Sequence, residues 1–172
     1  QGKALDILQS APIHGFHSKK VGTNNYKDIE DSDIVVVTAG MPRKPGMSRD
    51  DLLEKNFNII KSITENIVKY APKAVVVVAT NPLDAMAYAL YRLSSFEPKR
   101  VIGMAGVLDT ARFKTFIAQE LDISVNDIQS MVLGGHGDTM VPLPEYTTVS
   151  GIPLSQLMDR KKINELIQRT KD

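Results

Sequence analysis

The chain has 172 residues, of which 42% are hydrophobic, so it can fill the core of one ordinary domain or parts of two. Its 21 basic and 20 acidic residues nearly balance at a net charge of +1, and the basic clusters hold only two or three residues. We therefore expect no nucleic-acid partner. No apolar run approaches the ~20 residues of a membrane span, so we expect no membrane partner either.

Cysteine is absent from the sequence, which excludes disulfides and thiolate metal sites. This absence fits a reducing compartment, so we expect a cytoplasmic protein without a bound metal. The chain begins at Gln1 in a pattern that is already helical over residues 2–8, and it ends at Asp172 inside a charged helical pattern. Because neither end carries a start or stop signal, we expect both to be cuts in a longer chain.

Two continuous runs of β-branched residues, 34–37 and 75–78, predict strands that are buried on both faces of a parallel sheet. A Pro/Gly-rich loop from Met41 to Met47 follows the first run. Ser48, with Asp51 three residues later, then predicts the start of a long helix. The apolar residues of this helix recur at helical spacing: Leu53, Phe57, Ile60, Ile63 and Ile67. Strand, helix and strand together predict a right-handed βαβ unit.

Further elements follow the second strand. Asn81 precedes a proline at a predicted turn, a helix is predicted over 83–93, and residues 100–103 predict a third parallel strand. The pattern then changes to a helix over 108–121, a strand over 131–133 and a Pro-rich stretch over 141–144. We therefore expect an α/β fold, in which an incomplete parallel sheet occupies residues 1–103 and the start of a mixed α+β domain occupies 104–172.

His136 is the most distinctive of the three histidines, and we assign no function to His14 and His17. Glycines at positions 134, 135 and 137 remove side-chain bulk around His136 and permit unusual backbone angles, so a ligand could approach its imidazole closely. Taken alone, this setting leaves a functional and a structural interpretation equally open.

Other polar residues near predicted strand ends and helix starts are individually unspecific. Asp109 and Arg112, three residues apart, are typical of a surface ion pair. Arg43 and Arg49 are typical of solvated loop charge, and Asn81 of a turn. Together, however, they suit the oxidation of a 2-hydroxy acid. A histidine can accept the hydroxyl proton, and such proton transfer raises a reaction rate by ~10²–10⁴-fold. A carboxylate can orient that histidine, and guanidinium groups bind substrate carboxylates bidentately.

Four segments in this order resemble the lactate/malate dehydrogenase family: VTAGMPRKPGMSR at 37–49, Asn81 with its proline, VIGMAGVLDTARF at 101–113, and GGHGD at 134–138. The resemblance covers essentially the whole chain. It implies a partial Rossmann-type NAD-binding domain at 1–103, a partial catalytic and substrate domain at 104–172, NAD as cofactor, and a homodimer or homotetramer.

The resemblance also implies roles for single residues. His136 matches the family's proton donor and acceptor, and Asp109 the aspartate that orients it. Arg112 matches the arginine that binds the substrate's C1 carboxylate, and Arg49 the loop arginine that polarises the reacting carbonyl. Asn81 matches the asparagine that contacts the reacting oxygen. The positions that resemble cofactor contacts are Thr38, Ala39, Gly40, Asn56, Ala79, Thr80 and Asn81.

Arg43 decides the substrate that the resemblance implies. Members that use malate carry an arginine here, and members that use lactate carry a glutamine. A second substrate carboxylate, once enclosed, needs a cationic partner, whereas with pyruvate the same arginine would be left unpaired. We therefore expect reversible hydride transfer between malate and oxaloacetate.

Two alternatives stay open: lactate as substrate, and a truncated, non-catalytic product that keeps only packing and self-association surfaces. We expect the family's Gly-rich pyrophosphate turn and its acidic ribose ligand before Gln1, and further helices of the substrate pocket after Asp172. A molecule of these 172 residues alone is expected to bind NAD poorly and to have little activity.

Overall fold

A computed structural model of the chain describes residues 2–42 and 44–171, and leaves the side chain of Arg49 undescribed. Its central feature is a three-stranded parallel sheet of β1 (Ile34–Val37), β2 (Val75–Val78) and β3 (Val101–Gly103), in the order β1-β2-β3. The predicted parallel sheet is thus confirmed. The third strand begins one residue later than predicted, because Arg100 ends a short 3-10 turn, Pro98–Arg100.

Helices connect these strands and precede them. The helices α1 (Gly2–Gln9) and α2 (Ala11–His14) lie before β1 and bury none of their residues. A 3-10 turn, Tyr26–Ile29, follows them. The long α3 (Arg49–Tyr70) joins β1 to β2, and α4 (Leu83–Ser94) joins β2 to β3. The helices predicted at 2–8, after Ser48 and over 83–93 are all present.

The start of α3 is a capping box. The Ser48 hydroxyl accepts the Asp51 backbone N–H at 3.0 Å, and the Asp51 carboxylate accepts the Ser48 N–H at the same distance. Hydrogen bonding from Ser48, first from its side chain and then from its backbone, lowers the pKa of Asp51 below its ordinary value of 3.8. The ionised Asp51 carboxylate therefore stabilises the folded state. This stabilisation is fully present above pH 3.8, and it is lost as the pH falls through the lower pKa that Asp51 has in the folded state.

Only one face of the parallel sheet is covered by described residues. Val37, Val76 and Val78 are buried against α3 and α4, whereas Ile34 and Val36 are 63% and 60% exposed. The prediction that the first β-branched run is buried on both faces is therefore wrong for the part of the chain described. The reason is topological: the strand order β1-β2-β3 advances in one direction, and crossovers between parallel strands share the right-handed sense, so both connecting helices are expected on the same face.

A second hydrophobic core follows residue 105. It lies between α5 (Gly106–Leu121), α7 (Arg160–Lys171) and short antiparallel strands, and its largest buried side chain is Phe113. The remaining elements are β4 (Ile128–Gln129), β5 (Val132–Gly134), β6 (Met140–Pro142), β7 (Thr148–Val149), β8 (Ile152–Pro153) and α6 (Leu154–Leu157). β4 pairs with β7, β7 with β8, and β5 with β6.

The boundaries in this part differ from the sequence prediction. The helix predicted over 108–121 begins at Gly106, and the strand predicted over 131–133 is shifted by one residue to Val132–Gly134. The Pro-rich stretch at 141–144 holds the end of β6 and the start of a 3-10 turn, Pro144–Tyr146. The pairs β4–β7 and β7–β8 were not predicted, because strands of two residues are too short to show a period in the sequence.

Candidate active site

The loops after β1 and β2 lie side by side at the carboxyl edge of the sheet. The Thr80 hydroxyl donates to the Ala39 carbonyl at 2.7 Å, and a Cβ on Gly40 would lie only 2.6 Å from the Thr80 methyl group. Thr80 is 3% exposed, whereas Thr38, Ala39 and Gly40 are exposed at this edge. The two loops are therefore tightly joined, and the first of them is exposed at this edge of the sheet.

Asn56 of α3 forms hydrogen bonds with both of these loops. Its Oδ1 accepts the Met41 N–H at 2.7 Å, and its Nδ2 donates to the carbonyls of Met41 at 3.2 Å and Asn81 at 2.7 Å. Asn56 is only 1% exposed. A buried carboxamide that satisfies three backbone groups fixes both loops relative to the helix. The expected cofactor contact of Asn56 stays a prediction, because its amide is engaged with protein backbone here.

His136 and Asp109 form a hydrogen-bonded pair in the second half of the chain. The Nδ1 atom of His136 lies 3.0 Å from Oδ2 of Asp109, and Nη1 of Arg112 lies 3.4 Å from Oδ1 of the same carboxylate. The Asp109 side chain is 2% exposed, the imidazole 23% and the guanidinium side chain 46%. Within the described residues the imidazole is bonded only through Nδ1, so Nε2 is left for a ligand.

The packing of α5 on β5 brings the pair together. Thr110, next to Asp109, accepts the Val132 N–H with its hydroxyl at 3.0 Å, and a Cβ on Gly106 would approach the Val132 carbonyl to 3.2 Å. The strand then leads into the loop that carries His136. Asp109 lies in the first turn of α5, where the positive end of the helix dipole favours a carboxylate. This position and its two partners offset the cost of burying the charge.

The glycines around His136 have different roles from the one expected. Gly134 has a φ of +83°, and a Cβ there would lie 2.4 Å from the Thr139 carbonyl. At Gly135 a Cβ would lie 2.3 Å from the Thr139 hydroxyl. At these two positions the space beside the glycine is filled by other atoms of the protein, so it is not available to a ligand. Only Gly137, with φ +150° and no atom within 4 Å of an added Cβ, opens onto free space.

Asp84 is a site residue that sequence reasoning missed. Its carboxylate, in the first turn of α4, accepts the backbone N–H of His136, with N···O distances of 3.2 and 3.4 Å. An acidic residue in the first turn of a helix is ordinarily explained by the helix dipole, so its sequence context gave no signal. The bond links two residues that are 52 positions apart and belong to different halves of the chain.

A cavity of about 520 Å³ lies where the two halves meet. It brings Asn81 and His136 to the same space, beside the first turns of α3. Its lining residues are Asp50, Leu52, Leu53, Asn81, Pro82, His136, Gly137 and Asp138. Arg43 lies outside the described residues, and of Arg49 only the backbone at the start of α3 is described. His14 and His17 are exposed and do not line this cavity.

The arrangement can transfer a proton to or from a ligand in this cavity. An imidazole held through Nδ1 by a buried carboxylate has a fixed orientation, and its Nε2 is the free acid or base. The nearby asparagine offers a hydrogen-bond donor, and the loops at the carboxyl edge offer backbone groups. Among residues 2–42 and 44–171, no three His, Cys, Asp or Glu side chains are grouped so that they could hold a metal ion.

Comparison with known families identifies this arrangement. Residues 1–103 match the NAD binding domain of lactate/malate dehydrogenase, and residues 106–172 match the alpha/beta C-terminal domain of the same family. The chain belongs to the lactate/malate dehydrogenase family. The resemblance seen in the sequence is thus confirmed, and the family's two domain types account for the parallel sheet and for the mixed second part.

Individual members of the family are closely similar to this chain. The malate dehydrogenase of Salinibacter ruber is 58% identical over 171 residues, which are 99% of this chain and 54% of that protein. The apo malate dehydrogenase structure from Picrophilus torridus superposes with a TM-score of 0.91 at 52% identity, covering 99% of this chain and 54% of that one. The chain therefore spans about half the length of the curated relatives it matches.

A lactate dehydrogenase is also similar. The structure from Cryptosporidium parvum, complexed with lactic acid and nicotinamide adenine dinucleotide, has a TM-score of 0.88 at 44% identity and covers 99% of this chain and 56% of that one. Similarity of fold therefore does not distinguish a malate dehydrogenase from a lactate dehydrogenase.

In the described part of the chain, no helix combines the length and the apolar character needed to cross a membrane.

Proposed function

We propose that this chain is part of an NAD-dependent malate dehydrogenase, which transfers hydride reversibly between malate and the nicotinamide cofactor. The observation that carries the proposal is the Asp109–His136 pair beside a cavity that Asn81 also lines. The supporting comparison is the 58% identity to a curated malate dehydrogenase over nearly the whole chain. Oxaloacetate-dependent oxidation of NADH by the intact protein tests it, and no turnover would contradict it.

His136 is the acid and base of the proposed reaction. During malate oxidation the proton of the C2 hydroxyl passes to Nε2, while the C2–H bond breaks with its electron pair and a carbonyl forms. NAD, when bound, supplies the hydride acceptor. Asp109 accepts the Nδ1–H of the ring, so it fixes the tautomer and stabilises the imidazolium that forms. Because this carboxylate is only 2% exposed, water screens its attraction weakly.

The arginines bind the substrate in this proposal. Arg112 holds the C1 carboxylate, and its position beside Asp109 supports a place near the proton transfer. Arg49, at the start of α3, polarises the reacting carbonyl, and Arg43 pairs with the second carboxylate. Asn81 donates to the reacting oxygen. The 41–49 segment then closes as a lid that excludes water.

The residues present fit the nicotinamide end of the cofactor. Thr38, Ala39 and Gly40 are exposed at the carboxyl edge of β1, and Asn81 lines the cavity. Ala79 is partly buried beside them. Thr80 and Asn56 are buried and bonded to loop backbone, so we propose that they shape this surface rather than contact the cofactor through their side chains.

The wider organisation of the protein is part of the proposal. We place the boundary between the NAD-binding part and the catalytic part near residue 104, which is supported by two separate hydrophobic cores, one within residues 37–105 and the other within 113–166. A cytoplasmic location is supported by the absence of cysteine. Assembly as a homodimer or homotetramer rests on the family resemblance.

Replacing Arg43 should change which substrate is preferred. We expect Arg43→Gln to lower kcat/KM for oxaloacetate by about 10²–10⁴-fold, because an enclosed carboxylate without its partner costs about 3–5 kcal/mol. The preference should move toward pyruvate, which needs no such partner. The measurement is NADH oxidation by the intact protein with each of the two acids.

Lys44→Gln is the matched control for Arg43. Lys44 is the adjacent, exposed cation, so its loss should change the ratio of the two kcat/KM values by no more than about twofold. An unchanged ratio in Arg43→Gln would mean that this residue does not recognise the distal group. A wild-type protein that prefers pyruvate would instead support the lactate dehydrogenase alternative.

A further inference from the structure

Asp84 connects the helix that follows Asn81 to the main chain of His136. Both carboxylate oxygens lie within hydrogen-bond distance of the His136 backbone nitrogen, at 3.2 Å for Oδ2 and 3.4 Å for Oδ1. Asp84 belongs to α4, which packs in the first core, whereas His136 follows β5 of the second core. The contact therefore crosses from one half of the molecule to the other, at the edge of the cavity.

The packing of Gly135 also indicates that this contact is built into the fold. A Cβ at this position would lie 2.7 Å from Oδ2 of Asp84 and 2.3 Å from the hydroxyl of Thr139. Any other residue at 135 would push the carboxylate or the loop aside. The loop before His136 thus sits directly against the carboxylate, as it must for the backbone N–H to reach it.

The position of Asp84 in sequence connects this contact to the reaction. Asn81 is three residues earlier, at the turn into α4, and both Asn81 and His136 line the same cavity. In the proposed reaction both side chains contact one oxygen atom of the substrate. Their separation must therefore be held closely, since reactive groups are effective only within about 0.5 Å of the productive geometry.

We propose that Asp84 is a positioning residue, which sets the distance between the imidazole of His136 and the carboxamide of Asn81. Asp109 orients the ring through Nδ1, and Asp84 fixes the main chain that carries the ring. The inference rests on the proposed dehydrogenase function. Because Asp84 is exposed and water can replace its hydrogen bond, its loss affects overall stability little. A misplacement of about 1 Å, by contrast, can lower a rate by 10²-fold.

The test compares Asp84→Ala with Asp84→Asn in the intact protein. The alanine variant removes the acceptor, and we expect kcat for oxaloacetate reduction to fall by about 10–10²-fold. The NADH dissociation constant, followed by fluorescence titration, should stay within about twofold. The asparagine variant keeps an acceptor oxygen at the same place, so its kcat should stay within about fivefold of the wild type.

Asp159→Ala is the matched control. The Asp159 carboxylate also accepts a backbone N–H, that of Lys162 at 2.8 Å, but it does not line the cavity near His136. Its loss should leave kcat within about twofold, whatever it does to the thermal unfolding midpoint. Gly135→Ala disturbs the same contact from the other side, because the added methyl would lie 2.3 Å from the Thr139 hydroxyl and 2.7 Å from Oδ2 of Asp84, so the loop or the carboxylate must move. We expect it to lower kcat as Asp84→Ala does.

Two outcomes would overturn the proposal. One is an Asp84→Ala variant that keeps kcat within twofold of the wild type. The other is an asparagine variant that loses as much as the alanine variant and shifts the pH profile of kcat, since the carboxylate would then act through its charge. Hydrogen exchange of the His136 amide, expected to accelerate in Asp84→Ala, does not depend on turnover. A wild-type protein without activity but with a protected His136 amide would therefore contradict the dehydrogenase function and not the contact.

Discussion

Replacing His136 with asparagine is expected to lower kcat for oxaloacetate reduction by about 10²–10⁴-fold in the intact protein. The asparagine carboxamide can still donate to the buried Asp109 carboxylate, so the local structure should be kept. It cannot carry a proton to or from the substrate oxygen, however. Steady-state rates of NADH oxidation measure the effect, and a titration of NADH fluorescence should show binding within about threefold of the wild type.

His14→Asn is the control for this substitution. His14 is exposed in α2 and does not line the cavity, so its replacement should leave kcat unchanged within about twofold. If His136→Asn retained kcat within tenfold, His136 could not be the acid and base, and the proton would have to pass to another group. Loss of NADH binding together with turnover would point to a disturbed fold instead of a lost proton carrier.

The second large effect is expected on stability, at Asn56. Asn56→Ala would leave three backbone groups of the joined loops without their partner: the N–H and carbonyl of Met41 and the carbonyl of Asn81. These hydrogen bonds are partly buried, and a typical one contributes about 0.5–1.5 kcal/mol, so we expect the loss of three to lower the free energy of unfolding by about 2–4 kcal/mol. Asn56→Asp should be at least as harmful, because carboxylate oxygens would then face two carbonyl oxygens.

Asn66 offers a matched comparison on the same helix. Its carboxamide is partly exposed and donates only to the Ser62 carbonyl, at 2.8 Å, one helical turn earlier. Asn66→Ala should change the free energy of unfolding by no more than about 0.5 kcal/mol. Urea unfolding of the three variants and the wild type measures these differences. Equal losses at positions 56 and 66 would show that the buried carboxamide does not hold the loops.

Features that depend on neighbouring residues were predictable from the sequence. The β-branched runs at 34–37 and 75–78 are strands, and Ser48 with Asp51 begins α3 with a capping box. These follow from steric and hydrogen-bonding preferences that act within a few residues. The candidate site residues were harder to predict, because no single residue among them indicates a function by itself. Only their recurrence in the order of a known family separated His136, Asp109 and Arg112 from ordinary surface charge.

The setting of His136 is where sequence reasoning was least complete. Its glycines were expected to make room for a ligand, but Gly134 and Gly135 are instead crowded by Thr139, and Gly135 also by Asp84. The sequence shows that a side chain is missing, and it does not show which atoms occupy the space. Whether a ligand or the protein fills that space depends on how distant segments fold back.

The longer helices and strands, the parallel sheet and the family to which the chain belongs could be read from the sequence, because they follow from local periodicity and from the spacing of short motifs. The tertiary structure alone decided that one face of the sheet is covered, that Asn56 joins two loops, and that Asp84 reaches the main chain of His136. These depend on the handedness of the crossovers and on the packing of two hydrophobic cores. Such contacts join residues 15 to 52 positions apart, and no local pattern encodes them.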